Sequence, residues 1–140
     1  MPQAWQEYKQ QVELALSTVK PGDVSKVARC LKATRKLGRS IYAIGNGGSN
    51  ANAAHLVLHL QECGFNAYDL LSALPLVTAM SNDYGYQSVG LRQMRPRAQE
   101  GDVLVVISGS GDSANILLSL AEARRLKMHT LGLLGFGGGA

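Results

Sequence analysis

Cysteine is scarce in this 140-residue chain: Cys30 and Cys63 are the only two, and their spacing fits no metal or redox motif. That excludes a disulfide-stapled secreted scaffold and points to a reducing, cytoplasmic setting. No apolar run approaches the roughly 18 residues of a membrane helix, and the charged first twenty residues contain no signal-peptide core. The reading is therefore of a protein with no membrane partner. Aromatic residues make up only 6% of the chain, and none are interleaved with its basic residues as a single-strand stacking surface would require. Charged residues are also few, at 17% against 46% hydrophobic, which excludes a disordered chain. One core fits this length, with no disulfide, metal or other cofactor required for folding.

The net charge of +4 is unevenly spread. Residues 1–40 carry a local +5, residues 41–91 contain no Lys or Arg and carry −3, and the remainder carries +2. The basic excess thus lies on the N-terminal segment as a solvated or subunit-facing helix surface, which disfavours a nucleic-acid partner.

Glycine is what the chain has in excess: 16 residues, clustered after apolar runs. Helical spacing of Trp5, Tyr8, Val12, Ala15, Leu16 and Val19 predicts a first helix, ended by Pro21-Gly22. A second, with Asp23 as its cap and Gly38 as its C′ residue, completes an antiparallel pair. Then the period changes. Ile41–Ile44 reads as a strand entering Gly45-Asn46-Gly47-Gly48-Ser49 and a helix to about Glu62. Phe65–Leu71 reads as a second strand, and 75–95 as helical with a break at 82–86. Val103–Ile107 is the most strand-like run; it enters Ser108-Gly109-Ser110-Gly111-Asp112-Ser113 and a helix to about Leu126. Met128–Leu134 is a last strand before the glycine-rich 135–139. Uninterrupted apolar strands alternating with helices predict an α/β fold, a parallel sheet covered on both faces.

Two units share one design: apolar strand, Gly/Ser loop, helix opening with Ser and Asn. Such a loop aims unpaired N–H groups outward, reinforced by the positive end of the helix, and serines add hydroxyl donors. There is no GxxxxGK[ST], no GxGxxG with a distant acid, and no Lys or Arg between 40 and 91, which argues against a triphosphate–Mg²⁺ site. A single phosphate fits. The competing explanation is that Ser49 and Ser113 merely cap the helices that follow. On the next helix His55 and His59 stand i, i+4, on one face, spaced for proton transfer, for two metal ligands or for packing among Leu56, Leu58 and Leu60. His129 reads as structural.

Gly45–Ser49, Asn82-Asp83-Tyr84-Gly85 and Gly101–Leu104 running into Ile107–Asn115 resemble the SIS (sugar isomerase) domain, and most closely its phosphoheptose isomerase branch, across nearly the whole chain. The resemblance implies a single SIS domain over 1–140, with an N-terminal helix pair at 1–38 and a flavodoxin-like parallel sheet with helices on both faces at 39–140. It also implies a cytoplasmic homotetramer that isomerises a heptose-class sugar phosphate through an enediol. By position, Ser108, Gly109, Ser110 and Ser113 would hold the phosphate, while Asn46, Gly47, Gly48, Ser49 and Asp83 would line the sugar. His55 matches a histidine that binds zinc in metal-bearing members. The family's metal-binding glutamate, its proposed base, is His59 here, and Cys63 replaces an arginine. His55 and His59 are thus the candidate catalytic pair and the candidate zinc ligands.

Related enzymes continue beyond a stretch like Gly135–Gly139 into a strand and helix supplying a glutamine and a histidine to the metal and the proton transfer. Their lack here reads either as a truncated chain or as a protein without that half of the set. The alternative function is a non-catalytic SIS module: a phosphosugar sensor, or a tetrameric adaptor for a protein such as a replication initiator.

Overall fold

A computed structural model describes residues 3–139. They form two compact units, 1–32 and 33–140. The first holds α1 (Gln3–Thr18) and most of α2 (Pro21–Lys36), so the chain does open with two helices. None of the described α1 residues is buried, and Trp5, Tyr8, Val12, Leu16 and Val19 of the expected apolar stripe are all exposed. Asp23 is not the cap of α2. The helix starts two residues earlier, because Pro21 brings a preset φ and has no N–H to satisfy. Asp23 sits in the first turn instead, accepting a hydrogen bond from Lys26 at 2.9 Å, and that pairing holds its carboxyl below the usual range.

The second unit begins in the last turn of α2, where the expected glycine stop is present. Gly38, at φ 64°, donates to the Arg35 carbonyl while Arg39 donates to that of Thr34, a six-residue closure that needs a left-handed residue at its centre. The chain then enters β1 (Ser40–Ile44), α3 (Gly48–Glu62), β2 (Asn66–Asp69), α4 (Leu74–Tyr84), a short 3₁₀ turn, and α5 (Val89–Met94). It ends with β3 (Val103–Ser108), α6 (Ala114–Arg125) and β4 (His129–Leu134). Strand order is β2-β1-β3-β4, all parallel, with Ile41 opposite both Ala67 and Val103.

Ile41–Ile44 and Val103–Val106 are at most 3% exposed, as continuous apolar runs covered on both faces should be. Tyr42, Ile44, Leu104 and Val106 pack with Met94 and Ile116 in one cluster. β2 is shorter than the expected Phe65–Leu71. The Phe65 N–H still belongs to the end of α3, bonded to the Leu60 carbonyl, and the Asp69 carboxylate accepts the Leu71 N–H in a turn that stops the strand. β4 is the exposed strand of the sheet and starts with His129. The helical break at 82–86 falls at Gly85, between α4 and the 3₁₀ turn.

One buried charge braces the face below α6. Glu122, 5% exposed, accepts bonds from Arg95 at 2.9 Å and from Arg125 at 2.8 Å, and the two guanidiniums hold its carboxyl down at about 2. Because β1 is flanked by β2 on one side and β3 on the other, the connections leaving β1 and β3 diverge. Their C-terminal ends frame a crevice, the usual place for a ligand in an open parallel sheet.

Candidate active site

Both Gly/Ser loops open at that crevice. Gly45 follows β1 with no room for a side chain: a Cβ there would lie 2.6 Å from the Ser49 carbonyl carbon and 2.7 Å from the Asn50 nitrogen. The backbone therefore turns tightly into α3, and the Asn46 carbonyl receives the Ser49 N–H at 2.9 Å. Gly47, with φ 51°, occupies the cap position, which leaves Ser49 inside the first helical turn.

The serines are not caps. Ser49 makes no cap bond, and Ser113, which does stand at the cap position of α6, makes none from its side chain either. Among the described residues neither hydroxyl has a hydrogen-bond partner, so both are available to a ligand. Buried Ser108 is half used: its Oγ accepts the Gly111 N–H at 3.0 Å, which orients the hydroxyl and leaves its proton to donate. Ser110 is exposed, its Oγ accepting the Asp112 N–H at 3.2 Å.

Ser49, Ser108 and Gly109 line one cavity of about 420 Å³, closed on its other side by Gly132–Gly135 of β4 and the turn after it. Two hydroxyls and loop backbone thus face a common space, with no basic side chain among the lining residues. This arrangement suits an anion bound by neutral donors. A second cavity of about 380 Å³, between α3 and β2 and including Tyr68, Asp69 and Arg97, contains none of the expected site residues.

A link between the loops went unrecognised in the sequence. Asn46 Nδ2 donates to Asn115 Oδ1 at 2.9 Å, and Asn115 Nδ2 donates back to Asn46 Oδ1 at 2.8 Å. The same Asn46 oxygen accepts the Tyr86 hydroxyl at 2.7 Å. One side chain thereby ties the first loop to the second and to the segment after Gly85. No local pattern in the sequence signalled it, because Asn46 stands in the loop before α3 while Asn115 stands in the first turn of α6. Asp83 lies exposed at the end of α4, its carboxylate accepting from Asn82 at 3.0 Å; Gly47 and Gly48 are exposed on the first loop.

The histidines form a chain of their own on the exposed face of α3. His59 Nδ1–H donates to Glu62 at 3.0 Å, which leaves the lone pair on Nε2; His55 Nε2–H donates to that lone pair at 2.8 Å. Glu62, three residues after His59, was overlooked although its helical spacing was visible. The two Nε2 atoms converge, but no group of three metal-ligating side chains occurs among the described residues. Two nitrogens alone do not complete a zinc site. No helix among the described residues is long and apolar enough to cross a membrane.

Residues 6–135 match the SIS domain family. The chain is 41% identical over 124 residues to the phosphoheptose isomerase of Akkermansia muciniphila, an alignment covering 84% of this chain and 66% of the relative. It is 38% identical over 141 residues to phosphoheptose isomerase 1 of Campylobacter jejuni, covering 96% and 75%. The solved phosphoheptose isomerase of Francisella tularensis superimposes with a TM-score of 0.91 at 30% identity, over 98% of this chain and 74% of that one. The chain therefore spans about two-thirds to three-quarters of the length of these relatives.

Proposed function

The chain belongs to the SIS domain family, in its phosphoheptose isomerase branch, and from that premise we propose that it interconverts the aldose and ketose forms of a heptose-class sugar phosphate such as sedoheptulose 7-phosphate. The observation that carries this reading is the cavity shared by Ser49, Ser108 and Gly109, with its unspent hydroxyls at the crevice of a parallel sheet. The phosphate accepts from Ser108 and Ser113 hydroxyls, from Ser110 and from the Gly109 backbone. The sugar lies along Asn46, Gly47, Gly48 and Ser49 towards Asp83.

The isomerisation moves one carbon-bound proton and one hydroxyl proton. A base removes the proton from the carbon next to the carbonyl, the electron pair forms the enediolate double bond, and the former carbonyl oxygen takes up the charge and then a proton. The hydroxyl on the carbon that was deprotonated then gives up its proton and becomes the new carbonyl as the former carbonyl carbon takes a proton, so two protons leave, two return, and no atom is gained or lost. His59 is assigned as the base, held in one tautomer by Glu62, with its Nε2 lone pair open to the substrate once the hydrogen bond from His55 Nε2–H gives way, and His55 as its proton-sharing partner. His55 and His59 are the residues that would hold a zinc ion, which would polarise an oxygen when bound; the described residues include no group of three ligands, and no step above runs through it.

The same reading makes the protein a single SIS domain, cytoplasmic and homotetrameric, with the exposed apolar residues of α1 as subunit contacts. A non-catalytic sensor or adaptor is not favoured, because the relatives matched are isomerases by name. The test is isomerisation of sedoheptulose 7-phosphate by the purified protein, with and without added zinc. His59→Ala is expected to lower kcat by about 10²- to 10⁴-fold, the usual contribution of a positioned base. No turnover by the unmutated protein in either condition would sink the proposal.

A further inference from the structure

The Asn46–Asn115–Tyr86 linkage does more than join two loops. When two carboxamides bond reciprocally, each uses the N–H on the same side as its own carbonyl. The other N–H and the second lone pair of each point away from the ring. On Asn46 that second lone pair is occupied, since Oδ1 already accepts from Asn115 Nδ2 and from the Tyr86 hydroxyl. Its second N–H has no partner among the described residues. Asn115 is 4% exposed whereas Asn46, in the loop that leaves β1, is only half-buried, so the open donor belongs to the more accessible member of the pair.

The Tyr86 bond agrees with this arrangement. The phenolic O–H donates to Asn46 Oδ1 at 2.7 Å, and burial pushes the Tyr86 phenol above its ordinary range. The hydroxyl therefore stays a donor at neutral pH and holds the Asn46 carboxamide in a single orientation.

We propose that Tyr86 and Asn115 are positioning residues that lock Asn46 so that it offers the site one N–H donor and no acceptor. A group with that property binds an oxygen that only accepts, such as the carbonyl oxygen of an open-chain sugar phosphate and, more strongly, the enediolate oxygen that it becomes. A sugar hydroxyl, which needs an acceptor for its own proton, gains less from the same group. The lock thus favours the reacting form of the substrate over its alcohol analogue. The inference rests on the isomerase reading.

The test compares two phosphorylated probes by calorimetric titration: a hydroxamate mimic of the enediolate, and the corresponding sugar-alcohol phosphate, which has no carbonyl. In Tyr86→Phe, which removes one hydroxyl from a part-exposed ring, hydroxamate affinity is expected to fall about 5-fold, and in Asn115→Ser about 30-fold. Affinity for the sugar-alcohol phosphate is expected to change less than about 2-fold in both. Tyr86→Phe keeps the test decisive even where the buried Asn115 substitution impairs folding. Equal weakening of both probes, or no weakening of the hydroxamate, overturns the inference while leaving the isomerase reading intact. If the unmutated protein binds neither probe, it is the isomerase reading that fails, and the lock falls with it.

Discussion

The Gly/Ser loops at 45–49 and 108–113 and the histidine face of α3 are built in opposite ways. The loops emerge from the two central, buried strands, and their side chains are cross-tied by Asn46, Asn115 and Tyr86. His55 and His59 stand on an exposed helix surface, held by each other and by Glu62. A group that binds an anion through backbone N–H and hydroxyl donors must be rigid before the ligand arrives, because such donors are individually weak and act by pre-orientation. A proton-transferring imidazole needs a defined tautomer and access to the substrate, which one carboxylate on the same helix supplies.

The comparison makes its boldest claim in the histidine experiment. His59→Ala should abolish most turnover yet leave affinity for the sugar-alcohol phosphate within about 2-fold of normal; a large loss of affinity there would mean that the two regions are not separable. Gly45→Ala attacks the loops from beneath. Its new methyl would meet backbone 2.6–2.7 Å away, which should cost about 3 kcal/mol of stability by urea denaturation and weaken binding of both probes. A near-neutral result would show that the β1–α3 turn has slack.

Ser108→Ala is the mirror image of His59→Ala. It removes a phosphate donor and the acceptor of the Gly111 N–H, so affinity for the sugar-alcohol phosphate should fall about 10-fold while kcat at saturation hardly moves. The smallest expected effect concerns the brace under α6, the helix that loop 2 feeds. Glu122 has its pKa lowered from 4.5 to about 2 in the folded protein, so the stability it contributes is complete above about pH 4.5 and is lost as pH falls towards 2. Both guanidiniums are more than half exposed, which limits the contribution to about 1–2 kcal/mol. Urea midpoints of the unmutated protein and Glu122→Gln should therefore converge between pH 6 and pH 3; parallel curves would remove the brace from the account.

Much of the scaffold was legible locally. The apolar runs at 41–44 and 103–107, the Gly38 stop and the break near Gly85 depend on neighbours within a few residues, and each was found. The start of α2 was misplaced because Pro21 was read as ending one helix when it begins the next. β2 was read too long because apolar Phe65 and Leu71 look like strand residues, whereas their N–H groups serve a helix end and a turn. The serines were assigned a possible capping role on spacing alone; the observed geometry leaves the hydroxyls of Ser49 and Ser113 free.

From its own order of residues the chain determined where strands turn into Gly/Ser loops, that those loops suit an anion without a lysine, and that two histidines share a helical face. These are short-range properties, set by side-chain periodicity and by the conformational limits of Gly and Pro. Only the tertiary structure decided that Asn46 meets Asn115, 69 residues away, and Tyr86, 40 residues away. Those meetings depend on β1 lying beside β3 and on the register between them, and no local pattern carries that information.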